Sequence, residues 1–126
     1  MPGFAIDHVQ LAIPAGGEEQ GRGFFGGLLR LEEIEKPAHL RANGGCWFDL
    51  GDVQLHLGVE ADFRPSRKAH LALRTDRLDE LGNRLRAAGF DVREDQPVDG
   101  RARFFTHDPF GNRIEFLESR NTPETT

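Results

Sequence analysis

Over residues 4–13 the chain alternates, with Val9, Leu11 and Ile13 set against His8, Gln10 and Ala12. That period of two predicts a strand half-buried on one side. Pro14 stops it, because proline has no N–H to give a ladder. Residues 18–29 read instead as a helix, with Phe24, Phe25, Leu28 and Leu29 on or near one face. Gly21, Gly23, Gly26 and Gly27 weaken that helix, each by up to ~1 kcal/mol against alanine. Strands follow over residues 31–36, 45–50 and 53–59, the last two joined by the tight polar pair Gly51-Asp52. Residues 60–67 carry Pro65 and several charges without a period, and read as a linker. Strand 68–74 comes next, then helix 76–88 with Leu78, Leu81, Leu85 and Ala88 on one face and Gly89 as its stop. Strands over residues 90–94, 102–107 and 112–118 complete the pattern, and a polar tail follows Ser119.

Strand, helix, strand, strand, strand therefore occurs twice. His8 and His70 stand 70 − 8 = 62 positions apart, and Gly27 and Gly89 stand 89 − 27 = 62 apart. Leu55-His56-Leu57 matches Ile114-Glu115-Phe116 at an offset of 115 − 56 = 59, a slip that loops of unequal length explain. A repeat of this size is a whole supersecondary unit, and neither copy could bury its sheet face alone. The expected fold class is α+β: two βαβββ modules in tandem forming mixed sheets. The expected organisation is a single domain over 1–126, with module one at 4–59, the linker at 60–67, module two at 68–118 and a tail at 119–126.

The repeat also places chemistry. His8 and His70 fall in the first strands of their copies, His56 and Glu115 in the last. Side chains alternate between faces along a strand, so all four can lie opposite the main apolar set, on the side a concave sheet would wrap round a cavity. Three imidazoles and a carboxylate suit a borderline divalent ion such as Zn, Ni, Fe or Mn. Fewer than six protein ligands would leave positions for water or substrate. The plain alternative for any one of these histidines is a hydrogen-bonded structural residue. His39 and His107 fall outside the set and read as surface or supporting groups. Cys46 reads as a small buried hydrophobe. Trp47, Phe48, Phe104 and Phe105 are mainly core, one from each copy facing the cavity. Arg103 and Arg113 read as solvated strand-end residues, with an anionic substrate group as the alternative partner.

Bulk properties exclude several classes. The 126 residues fit one domain, and 37% hydrophobic with 29% charged content describes a soluble globule. No apolar run approaches the ~18 residues of a membrane helix, so no membrane association is expected. A net charge of −5 with dispersed basic residues argues against a nucleic-acid partner. No secretory signal is evident and the single cysteine cannot form an internal disulfide, so the expected location is cytoplasmic. Only Ser66 and Ser119 exist, neither in a nucleophile elbow, and no phosphate-cradling glycine loop precedes a helix.

The duplicated units, a histidine in the first strand of each, and Asp108-Pro109-Phe110-Gly111-Asn112-Arg113-Ile114-Glu115-Phe116 together resemble the vicinal oxygen chelate superfamily. That group includes glyoxalase I, extradiol dioxygenases, fosfomycin-resistance thiol transferases and bleomycin-resistance proteins. The resemblance covers residues 4–118. It implies a glyoxalase-like fold, with curled mixed sheets around a central cavity. It implies that His8, His70 and Glu115 hold one divalent metal ion, with His56 at a fourth position where a glutamate is common. It implies substrate oxygens bound to that ion, with Glu115 as the catalytic carboxylate that moves a proton, in lyase, isomerase, dioxygenase or transferase chemistry. A small-molecule substrate and a homodimer follow from the same likeness. The alternative within the superfamily is a non-catalytic drug-binding protein of the bleomycin-resistance type.

Overall fold

The computed structural model describes residues 2–119 and divides them into two compact units. Unit one takes residues up to Pro65 together with Pro109–Gly111; unit two takes Ser66–Asp108 and the chain from Asn112 onward. The tail expected after Ser119 lies outside the described residues.

Unit one carries β1 (His8–Ile13), α1 (Glu18–Gly21), β2 (Glu33–Ile34), β3 (Cys46–Asp49) and β4 (Gln54–Val59). Its sheet runs β1-β4-β3-β2, with β1 parallel to β4 and the other pairs antiparallel. Unit two repeats the plan with β5 (Leu71–Thr75), α2 (Leu78–Ala87), β6 (Arg93–Val98), β7 (Arg101–His107) and β8 (Arg113–Glu118), in the order β5-β8-β7-β6. Here β5 is parallel to β8, and the remaining neighbours are antiparallel. The expected tandem modules of mixed sheet are therefore present. Among the described residues no helix is long and apolar enough to cross a membrane.

The first helix departs from expectation. Only Glu18–Gly21 is α-helical, and Arg22–Leu28 continues as a π-helix, with Leu29 N–H bonding the Phe24 carbonyl at 2.9 Å. The wider turn still buries Phe24 and Phe25 completely. Gly21 is where packing demands glycine, since a Cβ there would stand 2.7 Å from the Leu57 Cδ1. Glycine thus shapes this segment twice, by weak α propensity and by close approach. In contrast, α2 is regular and buries Leu78, Leu81 and Leu85 as its spacing predicts.

Three strands shift. The strand expected at 31–36 shrinks to Glu33–Ile34, and Ala38–Asn43 forms an unforeseen 3-10 helix that carries His39 on its exposed side. The strand expected at 90–94 is found at Arg93–Val98, an edge strand whose six residues are all exposed and which breaks register between Asp95 and Val98. Pro97 sits in that irregular stretch, as proline on an edge strand can. The strand expected at 68–74 begins at Leu71, so His70 stands just before it. One side chain and the backbone tie that approach down instead: Asn112 Oδ1 accepts the Ser66 N–H at 2.9 Å, and the Arg113 backbone N–H donates to the Ser66 carbonyl at 3.0 Å.

Candidate functional site

β8 is presented by the turn that precedes it. The buried Asp108 carboxylate accepts the Asn112 backbone N–H at 2.9 Å and its side-chain amide at 2.8 Å. With Gly111 at φ 95° between them, this clamp reverses the chain and sets the register that opposes Glu115 to Phe105. Partners directly across a ladder share a face. The Phe105 ring accordingly lies edge-on to the His70 ring, centroids 5.5 Å apart.

His70 and Glu115 meet. The Nδ1 of His70 donates to the Lys68 carbonyl at 2.9 Å, and its Nε2 faces Glu115 Oε1 at 2.9 Å. Nδ1 can only donate to a carbonyl, so the imidazole's other lone pair points at a carboxylate. That contact is favourable only with a positive charge between the atoms: a second proton on the ring, or a metal ion in its place. Two neighbouring ligands about 2.1 Å from a six-coordinate ion would themselves lie ~3.0 Å apart, so the spacing suits an ion as well as a proton. The other carboxylate oxygen, Oε2, accepts Arg103 Nη1 at 3.2 Å. Arg103 is further held by the Gln96 carbonyl at 2.8 Å and lies 3.6 Å from Asp95. It is not the solvated strand-end residue its position suggested, since its side chain is only 18% exposed. Its partners lie on β6 and β8, which local sequence cannot reveal.

In unit one, His8 heads β1 and His56 lies on β4, where the register opposes His56 to Trp47 and to Gln10. The three rings form a column. Trp47 stacks on His56 at 3.8 Å with planes 2° apart, and His8 stacks on His56 at 4.3 Å and 16°. Burial, followed by the nearby His8, holds the His56 pKa below its ordinary value, so this ring favours its neutral form. His56 Nε2 donates to Gln54 Oε1 at 2.9 Å, which leaves Nδ1 with the lone pair. His8 Nδ1 lies 2.8 Å from the Asp7 carboxylate, which leaves Nε2 as the nitrogen that could meet a ligand. The column forms one wall of a cavity of about 490 Å3 within unit one, also lined by Gln10, Lys36 and Gln54. The period of two along residues 53–59 puts Gln54 on the same face as His56, whereas nothing in the sequence pattern points to Lys36.

The four residues are thus brought together as two pairs, one per unit. Among the described residues, no group of three or more His, Cys, Asp or Glu side chains is gathered into a metal-holding cluster. Within each unit the donors are nevertheless of the kind a divalent ion takes: His8 Nε2 in unit one, and His70 Nε2 with Glu115 Oε1, 2.9 Å apart, in unit two. Burial pushes the Cys46 thiol up to about 11, so it is a core side chain with no reactive thiolate. His107 is exposed at the end of β7.

Comparison with known proteins gives the lineage. The sequence pattern of the Glyoxalase/Bleomycin resistance protein/Dioxygenase superfamily matches residues 6–116. A glyoxalase family protein from Bacillus anthracis is 43% identical, with TM-score 0.88 over 95% of this chain and 100% of that one. Lactoylglutathione lyase from Agrobacterium tumefaciens, 21% identical, shares the fold at TM-score 0.73 over 94% and 96% of the two chains. The fosfomycin resistance protein FosX from Listeria monocytogenes, 16% identical, does so at 0.73 over 93% and 94%. A search of curated protein sequences returns no match. The chain belongs to the Glyoxalase/Bleomycin resistance protein/Dioxygenase superfamily.

Proposed function

We propose that this protein is a metal-dependent enzyme acting on a small molecule through neighbouring substrate oxygens. His8, His70 and Glu115 hold one divalent ion of the Zn, Ni, Fe or Mn type, and His56 is a fourth ligand or the support of His8. The observation that carries this reading is the His70 Nε2 to Glu115 Oε1 contact of 2.9 Å, two donors of the kind and spacing that a divalent ion takes. When bound, such an ion supplies Lewis acidity toward negative charge developing on substrate oxygens. The chain's own part is positional and protolytic. Arg103 holds Oε2 of Glu115 and His70 Nε2 faces Oε1, so Oε1 would have to exchange that contact in order to take or return a proton. Trp47 and His56 give the unit-one cavity a rigid ring wall for the organic part of the substrate.

Elemental analysis of protein purified without a His-tag or chelator, followed by titration of the apo form, tests this proposal. Stoichiometric uptake of one ion is the expected result. If neither measurement finds it, a drug-binding role takes its place, favoured by the ring-walled cavity in unit one. Assembly as a homodimer in the cytoplasm completes the reading. Its support is the exposed pair Phe4 and Ile6, 91% and 65% accessible, beside the edge strand β1. Light scattering that reports only monomer at tens of micromolar rejects the dimer.

A further inference from the structure

Two arginines share the ring of Phe105, and they are not equivalent. Arg103 Cζ lies 5.2 Å from the ring centroid and Arg113 Cζ lies 4.0 Å from it. The guanidinium of Arg103 is spent on Gln96, Glu115 and Asp95. Arg113 makes no side-chain hydrogen bond or ion pair with another described residue; its backbone N–H is engaged by Ser66. We propose that Arg113 is an anion-binding residue of this site, taking a carboxylate of the substrate in its guanidinium fork. The inference deepens the metal-site reading above and rests on it.

The geometry supports it in three steps. Arg113 and Glu115 are two apart on β8, so they share a face, and Phe105 lies across the ladder on that same face. Stacking occupies the flat face of a guanidinium, while its N–H groups lie in the plane and point past the ring edge. The contact with Phe105 therefore orients Arg113 without consuming a donor, and a planar fork matches a carboxylate with two parallel bonds. The chain as a whole carries −5, which repels anions. Arg103 is balanced there by Glu115 and Asp95, so Arg113 is the guanidinium of the two that is left to meet an anion. The substrate class implied is a small organic acid with an oxygen next to its carboxylate, such as a 2-hydroxy or 2-oxo acid.

The test uses the full chain loaded with whichever ion it binds, and two chelating probes. Oxalate presents carboxylates; acetohydroxamate chelates through two oxygens but has none. In wild type and in Arg113→Met, calorimetry measures affinity for the ion and for each probe. Arg113→Met is expected to weaken oxalate about tenfold to a hundredfold, the scale of lost charge-assisted hydrogen bonds, with acetohydroxamate and ion affinity within about twofold of wild type. Arg113→Lys, which keeps the charge and loses the fork, should fall between. Equal losses for both probes, or none for oxalate, overturn the inference while the metal reading stands. A wild type that takes up no ion overturns the metal reading and this inference with it. Should Arg113→Met also lose the ion through misfolding, Arg113→Lys decides: selective oxalate loss supports the assignment, and wild-type oxalate affinity rejects it.

Discussion

The two units share a backbone frame and differ in what they mount on it. Trp47 opposes His56 across β3 and β4, and Phe105 opposes Glu115 across β7 and β8. Each third strand gives the face a ring and each fourth strand a candidate ligand. Around these matched pairs the chemistry diverges. In unit one the ligand is an imidazole enclosed by rings, and burial keeps it neutral. In unit two it is a carboxylate, 2.9 Å from an imidazole and 3.2 Å from a guanidinium. The residue two before Phe105 is Arg103, whereas the residue two before Trp47 is Gly45. Gly45 adopts φ 84°, and a Cβ there would collide with the Leu57 carbonyl oxygen, so no cation can grow from that position. A duplicated frame fixes where groups stand, and single substitutions decide their charge. A buried carboxylate needs its counter-charge nearby; a neutral imidazole needs only walls.

The largest expected effect separates the units by metal affinity. His70→Ala or Glu115→Gln should weaken the ion by more than about a hundredfold, since loss of a mere outer-shell partner typically costs about 10–100-fold. His56→Ala should cost about tenfold. Competition against a chromophoric chelator measures all three. Equal losses at His56 and Glu115 would mean that the units contribute alike, and the contrast between them would collapse.

Next in size is a backbone test of the same contrast. Gly45→Ala forces a side chain into a positive φ and into the Leu57 carbonyl, and should cost about 3 kcal/mol or more in urea unfolding. Gly89, at φ 91° after α2 with nothing within 4 Å, meets only the conformational penalty, about 1 kcal/mol as alanine. The Gly45 site is also drawn tight by its neighbours. Glu18 accepts the Gly45 N–H at 2.8 Å, a bond that holds the Glu18 carboxyl below its usual range. Matching costs at the two glycines would show that Gly45 is not shaped by packing.

Much of this was readable from residue order. Alternation placed His56 and Glu115 opposite their apolar neighbours, and the 62-residue offset paired His8 with His70, because a sheet's faces follow a period of two whatever it packs against. Leu78, Leu81 and Leu85 announced α2 for the corresponding reason. The failures share a different cause. β6 has six exposed residues, so no apolar period marked it, and only its pairing with β7 makes it a strand. The π-turn at Arg22–Leu28 begins directly after Gly21, which packs against Leu57, far along the chain. Arg103 looked solvated because the groups that hold it, Gln96 and Glu115, come from flanking strands. Local pattern reveals faces. It does not reveal which side chains meet across them.

The smallest effect tests whether the unit-one ring column is kept neutral by its walls. Trp47 is the sole tryptophan and lies 3.8 Å from the His56 ring, so its fluorescence reports on that ring. In metal-free protein a folded His56 pKa below the ordinary imidazole value of about 6.5 means the unfolded state binds more protons as pH falls. The stability His56 contributes is therefore complete above pH ~6.5 and is lost as pH drops from there toward the lower folded value. Fluorescence should show a quenching midpoint below 6.5, absent in His56→Gln. The two causes can then be separated. Burial is the larger and the His8 charge the lesser, so His8→Ala should return the midpoint only part of the way. A full return to 6.5 would make charge repulsion, not the aromatic walls, the reason His56 stays neutral. The difference between a neutral unit one and a charged unit two would then rest on His8 alone.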